Sequence, residues 1–188
     1  MNEERLWAPW RLEYVTGNES AAAPLPEPKR WLPNAEVGCF LCQAAAEYEP
    51  GEDLDRRLLV ADRGPRVIVV LNRYPYNNGH LLIAPRRHVG ELGQMTREEH
   101  LECLERLAGL TQLYRERLNA DGFNIGLNLG RAAGAGLPGH IHWHLVPRWA
   151  GDNNFMPVLA GTRVIPQSLD ALWEWLVDAL NTSGGGTS

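Results

Sequence analysis

Two short apolar runs, residues 57–61 and 66–71, are rich in β-branched residues and are separated by Gly64-Pro65, which predicts two β-strands. Residues 74–79, Tyr-Pro-Tyr-Asn-Asn-Gly, read as a turn into a third strand over residues 80–84, which Pro85 ends. Sequential strands usually neighbour one another, so these three form a meander. Thr96 and Glu99 form a capping box, and Leu104, Leu107, Leu110, Tyr114 and Leu118 follow at steps of three or four. That spacing predicts a helix, with Glu105, Arg106 and Glu116 mostly on its other side and a stop at residues 119–122. Residues 123–128 read as a fourth strand, followed by a small-residue loop over 130–139. Residues 140–146 alternate polar and apolar positions, as a further strand would. Residues 168–180 predict an amphipathic helix, with Leu169, Leu172, Trp173, Leu176, Val177 and Leu180 on one side.

Outside these elements the pattern fades. Residues 1–36 carry Trp7, Trp10, Leu12 and Tyr14, then Pro24, Pro26, Pro28 and Pro33. This predicts an N-terminal arm that packs on the domain or on a partner subunit, joined by a Pro-rich linker. The main domain is expected over residues 37–166, and a C-terminal helix with a disordered tail over 167–188. A chain that is 44% hydrophobic buries a real core. The net charge of −5 argues against a general polyanion-binding surface, so any phosphate recognition is local. The apolar runs are too short to span a bilayer, and residues 1–5 lack the start of a signal peptide. Three cysteines, two of them in Cys39-x-x-Cys42, argue against a secreted disulfide scaffold, so a cytoplasmic protein is expected. Cys103 is expected to pack inside its helix, and His100 to be a solvated helix side chain.

The candidate chemistry lies in His140-Ile141-His142-Trp143-His144-Leu145. Half of the six histidines sit here in strict alternation. On a strand all three imidazoles point to one face, with i to i+2 steps of roughly 6.6–6.8 Å. Clustered histidine points to metal binding, acid–base work or nucleophilic catalysis. Cys39 and Cys42 have the spacing of a metal-binding pair, of a redox pair or of two buried thiols. Glycines in the loop before the histidines let backbone amides approach an anion closely.

The pattern His140-Ile141-His142-Trp143-His144-Leu145-Val146 resembles the histidine-triad (HIT) family. Asn72, residues 79–85 (Gly-His-Leu-Leu-Ile-Ala-Pro), His88, residues 122–128 (Gly-Phe-Asn-Ile-Gly-Leu-Asn), Pro147-Arg148-Trp149 and residues 151–155 resemble its bacterial branch, which includes diadenosine tetraphosphate phosphorylases. Residues 6–11 look like that branch too. The resemblance implies an α+β fold, an antiparallel sheet of about five strands with two main helices, and subunits paired into a homodimer or larger assembly. It implies nucleotidyl transfer or hydrolysis at the α-phosphate of a dinucleoside polyphosphate. In that reading His142 is the nucleophile, His144 donates to a phosphate oxygen and His140 orients the site. Asn72, Asn128, Gly134, Gly136 and Trp149 match nucleotide-binding positions. Cys39, Cys42, His88 and His140 match the ligands of a structural zinc in the zinc-binding members.

An attacking imidazole needs a free lone pair, so its other nitrogen must hold the proton, as a bond from Nδ1–H to a backbone carbonyl ensures. The nucleophile must also face an open pocket. One departure from the family stands out: Leu137 and Gly136 occupy the positions where HIT proteins often carry Ser or Gln against a phosphate. That leaves orthophosphate and water both open as acceptor. The rival readings are a nucleoside phosphoramidate hydrolase and a non-enzymatic nucleotide- or zinc-binding adaptor.

Overall fold

The computed structural model describes residues 24–49, 53–152 and 168–183. In chain order these form α1 (Phe40–Ala45), α2 (Leu54–Arg57), β1 (Val60–Arg63), β2 (Val67–Leu71), β3 (Leu81–Pro85), α3 (Arg97–Leu118), β4 (Gly122–Leu127), β5 (Trp143–Arg148) and α4 (Leu169–Ser183). Short 3₁₀ turns lie at Leu92–Gln94 and Arg131–Ala133. The strands make one antiparallel sheet in the order β1-β2-β3-β5-β4. The expected α+β class, five-stranded sheet and two long helices are all present.

Every residue of β2 and β3 is buried, so both faces of the sheet's centre are covered. This is why their sequences are continuous apolar runs rather than alternating ones. α3 packs across β2, β3 and β5, and α1 touches β2. Cys103 is fully buried in α3, as expected of a small apolar residue.

The first apolar run behaves differently from its expectation as a strand from Arg57. Arg57 ends α2, and Leu59 adopts a left-handed φ of +57° that swings the chain into β1. Leu54 and Leu59 are both buried, so anchoring this turn in the core outweighs local strand propensity. At the end of β3, Pro85 is the last paired residue, opposite Val67, rather than the residue beyond the strand.

α3 starts where its capping box predicts. Thr96 Oγ1 accepts from the Glu99 amide at 3.2 Å, and Glu99 Oε2 accepts from the Thr96 amide at 2.8 Å. The Glu99 carboxylate is buried, and Arg87 offsets that cost with donors at 2.6 and 2.8 Å. The pair ties the head of α3 to the segment after β3. Asn119, at φ +50°, closes the helix. His100 is not simply solvated: its Nε2 lies 3.1 Å from the Leu92 carbonyl.

The turn into β3 depends on Gly79. Its φ is +75°, and a Cβ there would lie 3.1 Å from the Tyr114 ring and 3.2 Å from Pro147. This tight turn delivers the next residue, His80, to the interior.

α4 docks on β1 through buried Leu172 and Leu176 and through Trp173, whose indole N–H donates to the Val60 carbonyl at 2.8 Å. It runs to Ser183, slightly past its expected end. Arg30 and Glu47 join by a backbone bridge and a side-chain ion pair, fastening the proline-rich segment to the chain after α1. Residues 1–23 of the arm and linker expected over 1–36, most of the expected 151–155 turn and the tail over 184–188 lie outside the described residues. Among the described residues no helix is long and apolar enough to cross a membrane.

Candidate active site

β5 begins only at Trp143, so the expectation that three histidines ride one strand is corrected. His144 alone is in the ladder, opposite Leu82 of β3 and Gly126 of β4. The reason lies in the backbone just before it. The His140 carbonyl accepts from the His142 ring at 2.8 Å, and the Ile141 amide donates to the Val89 carbonyl at 2.7 Å. The groups that a ladder would use are bonded elsewhere. The three imidazoles therefore divide, His140 toward the cysteines and His142 with His144 toward a second cluster.

The first cluster brings together all four expected metal ligands. The donor atoms of Cys39, Cys42, His88 and His140 lie within 4.8 Å of one another. His140 Nδ1 is 3.3 Å from Cys39 Sγ and 3.5 Å from Cys42 Sγ, and His88 Nδ1 is 3.1 Å from Cys42 Sγ. A tetrahedron with ordinary zinc–sulfur and zinc–nitrogen bonds has edges of about 3.3–3.8 Å. The outer nitrogens point away: His140 Nε2–H donates to the Pro85 carbonyl at 2.8 Å, which leaves the Nδ1 lone pair facing inward. Burial pushes the Cys39 thiol up to about 12 and His140 down to about 4. A cation among them would favour the thiolate and use the neutral imidazole. The donor set and its geometry fit a four-coordinate metal.

The two cysteines sit on α1 rather than on a bare turn. Cys39 is the N-cap, and its Sγ accepts from the Cys42 amide at 3.4 Å. Cys42 lies in the first turn, which places both thiols at one helix end. Gly139 gives the opposing loop its close approach, since a Cβ there would lie 3.1 Å from His88 Nε2.

The second cluster is His142, His144 and His80. The carbonyl of His140 can only accept, so His142 Nδ1 carries the proton and Nε2 carries the lone pair. Burial lowers the His142 pKa, which keeps the ring neutral. His142 is 8% exposed. Its Nε2 has no hydrogen-bond partner among the described residues, yet it is not one of the polar atoms sealed from solvent without a partner. The small exposed remainder therefore includes this nitrogen. The His142 and His144 rings meet edge to face with centroids 5.0 Å apart.

His80 sets the tautomer of His144. The Tyr76 amide donates to His80 Nδ1 at 3.0 Å, so His80 Nε2 carries a proton. That nitrogen lies 2.9 Å from His144 Nδ1, which must accept, leaving a proton on His144 Nε2. Asn128 Nδ2 lies 3.3 Å from this Nε2, and turning the carboxamide over presents its oxygen as the acceptor of the Nε2 proton. Tyr76 stacks on His144 with centroids 5.8 Å apart. A lone pair on His142 thus stands beside an N–H on His144, the pairing that a nucleophile and a proton donor require.

Asn72 reaches this cluster indirectly. Its carboxamide oxygen accepts from the Tyr74 amide at 3.1 Å, and its nitrogen lies 3.1 Å from His80 Nδ1. Gly134, at φ +83°, and Gly136 are exposed in the loop leading to His140. Trp149 is not brought here. It follows β5, about 16 Å further along the chain than His144, and its indole N–H donates to the Leu118 carbonyl at 3.0 Å. Sequence reasoning gave no role to His80 or Tyr76, because only the β3–β5 register places His80 beside His144.

This sequence and this fold match known proteins. The HIT domain family model matches residues 58–151, and the chain belongs to the HIT family. It is 38% identical over 170 residues to the AP-4-A phosphorylase of Mycobacterium tuberculosis, spanning 88% of this chain and 78% of that protein. A Zn-bound histidine triad family protein from Mycobacterium smegmatis is 26% identical with a TM-score of 0.51, covering 69% of this chain and 88% of that one. A hypothetical histidine triad nucleotide-binding protein from Sulfolobus tokodaii shares the fold at 20% identity and a TM-score of 0.58, over 77% and 93% of the two chains.

Proposed function

We propose that the chain cleaves dinucleoside polyphosphates, diadenosine tetraphosphate being favoured, by nucleotidyl transfer through His142. The observation that carries this reading is the 2.8 Å bond from His142 Nδ1–H to the His140 carbonyl, which leaves Nε2 as a neutral lone pair. That nitrogen attacks the α-phosphorus in line. The bond to the bridging oxygen breaks and the nucleoside polyphosphate departs, with His144 Nε2–H donating to the leaving oxygen. Asn128 and the backbone amides of Gly134 and Gly136 line the phosphate path, and Asn72 braces His80 behind His144. Orthophosphate then attacks the nucleotidyl-histidine and releases a nucleoside diphosphate, whereas water would release the monophosphate. The relative named a phosphorylase supports orthophosphate.

The metal cluster is read as structural zinc. Held by Cys39, Cys42, His88 and His140, a bound ion would supply a cross-link between α1, the loop after β3 and the segment entering β5. The cluster's own residues hold His140 so that its carbonyl stays aimed at His142. Homodimerisation is read at the free edge of the sheet. Among the described residues β4 is unpaired on one side, and Ile125 and Leu129 are 45% and 41% exposed there. A cytoplasmic location fits the cysteine pair held in a metal-type cluster with free thiols.

The test is turnover of diadenosine tetraphosphate with and without orthophosphate, with products identified. Diphosphate formed only with orthophosphate supports phosphorolysis, and monophosphate in both cases means hydrolysis. No turnover, with tight nucleotide binding, would leave the adaptor reading.

A further inference from the structure

One residue outside the four ligands touches three of them. Glu36 precedes α1, and its carbonyl accepts from the Cys39 amide at 3.0 Å. Its own amide lies 3.5 Å from Cys42 Sγ, in donating geometry. Its carboxylate oxygen Oε1 lies 3.5 Å from His88 Nε2. The side chain is 69% exposed, so it reaches the cluster from the solvent side, whereas the His88 ring is nearly buried. Gly139 closes the other flank of the same nitrogen, where a Cβ would come within 3.1 Å.

We propose that Glu36 is a positioning residue of the metal centre: its carboxylate accepts Nε2–H of His88 and turns the Nδ1 lone pair toward the metal position. The proposal rests on the zinc reading and adds to it a determinant of affinity. His140 has the corresponding support from a backbone carbonyl, Pro85, which no side-chain substitution can remove. His88 has a replaceable one. An imidazole ligand whose other N–H is bonded to a carboxylate is more basic and better oriented. Glu36 also donates toward a thiolate sulfur, which stabilises its charge. Because the two backbone contacts survive substitution of Glu36 by Ala or Gln, the side-chain contact can be tested without dismantling α1.

The experiment measures zinc affinity of the full chain by competition with a chromogenic chelator, for wild type, Glu36→Ala, Glu36→Gln and the control Glu49→Ala. Glu49 pairs with Lys29 on the surface and has no contact with the cluster. Glu36→Ala should bind zinc about 10- to 100-fold more weakly. Glu36→Gln keeps an acceptor oxygen and should fall between Ala and wild type, and Glu49→Ala should match wild type. The melting temperatures of the metal-free proteins should coincide, which separates ligand positioning from folding. Equal affinity in wild type and Glu36→Ala would overturn the proposal alone, as would an equal loss in Glu49→Ala or in Glu36→Gln. A wild-type chain that takes up no zinc would overturn the metal reading and the proposal with it.

Discussion

The segment 140–144 feeds two imidazole clusters, and they differ in one respect. Around Cys39 and Cys42, each histidine turns Nδ1 inward; His140 spends Nε2 on the Pro85 carbonyl, and His88 Nε2 lies 3.5 Å from the Glu36 carboxylate. Around His80 the bonding order runs the other way: His142 spends Nδ1 on the His140 carbonyl and leaves Nε2 without a hydrogen-bond partner among the described residues. The side-chain chemistry is the same in both. In our reading, the ring nitrogen that a neighbouring acceptor occupies decides whether an imidazole serves as a ligand or as a nucleophile. His140 belongs to both systems, since its ring faces the thiols and its carbonyl faces His142.

Breaking the reactive side should have the largest effect. His142→Ala is expected to lower turnover of diadenosine tetraphosphate by at least about 10⁴-fold, measured by chromatography of the products. Its zinc content should be unchanged, because the His142 ring is not part of the metal cluster. Replacing His144 by Asn removes the proton donor and should cost about 100-fold in kcat. His80→Asn should show a smaller loss of the same kind, because it acts only through the tautomer of His144.

Breaking the metal side should act more on stability than on chemistry. Stripping zinc with a chelator is expected to lower the melting temperature by roughly 10 °C, since a ligand at about a thousand times its Kd contributes about 4 kcal/mol. Activity should fall about tenfold as the His140 carbonyl loosens, and added zinc should restore both. If activity vanished as completely as in His142→Ala, the division of labour between the clusters would be wrong.

The smallest effect belongs to a site that serves neither cluster. The Asp152 carboxyl is held below the usual range, chiefly by its bond to Arg148. A depressed folded value contributes stability above the unfolded pKa of about 3.9, and that stability is lost as pH falls through the folded value. Asp152→Asn should therefore cost about 1 kcal/mol at pH 7 and progressively less below about pH 4, read by urea denaturation at both pH values.

Much of the candidate catalytic side was legible because His142 and His144 sit close together in sequence. Three alternating histidines mark the site, Thr96 and Glu99 mark the start of α3, and the buried runs mark β2 and β3. The four candidate metal ligands could be grouped only through family resemblance, since the Cys39–Cys42 pair, His88 and His140 are far apart in sequence. What stayed hidden depends on register and turns. His80 meets His144 only because β3 lies beside β5, and the histidine strand starts late because the His142 ring takes the His140 carbonyl. Trp149 matches a family motif, yet the fold ties its indole to the end of α3. Leu59 turns the first expected strand into a helix end because burial outweighed its local preference.

The central claim is that His142 Nε2 forms the bond to phosphorus. Mixing the chain with diadenosine tetraphosphate in the absence of orthophosphate, quenching at neutral to basic pH within the first turnover and mapping the peptides by mass spectrometry tests it directly. The account predicts an adenylyl group on His142, discharged when orthophosphate is added. An adduct on His144 or His140, or turnover with no adduct on any residue, would contradict it.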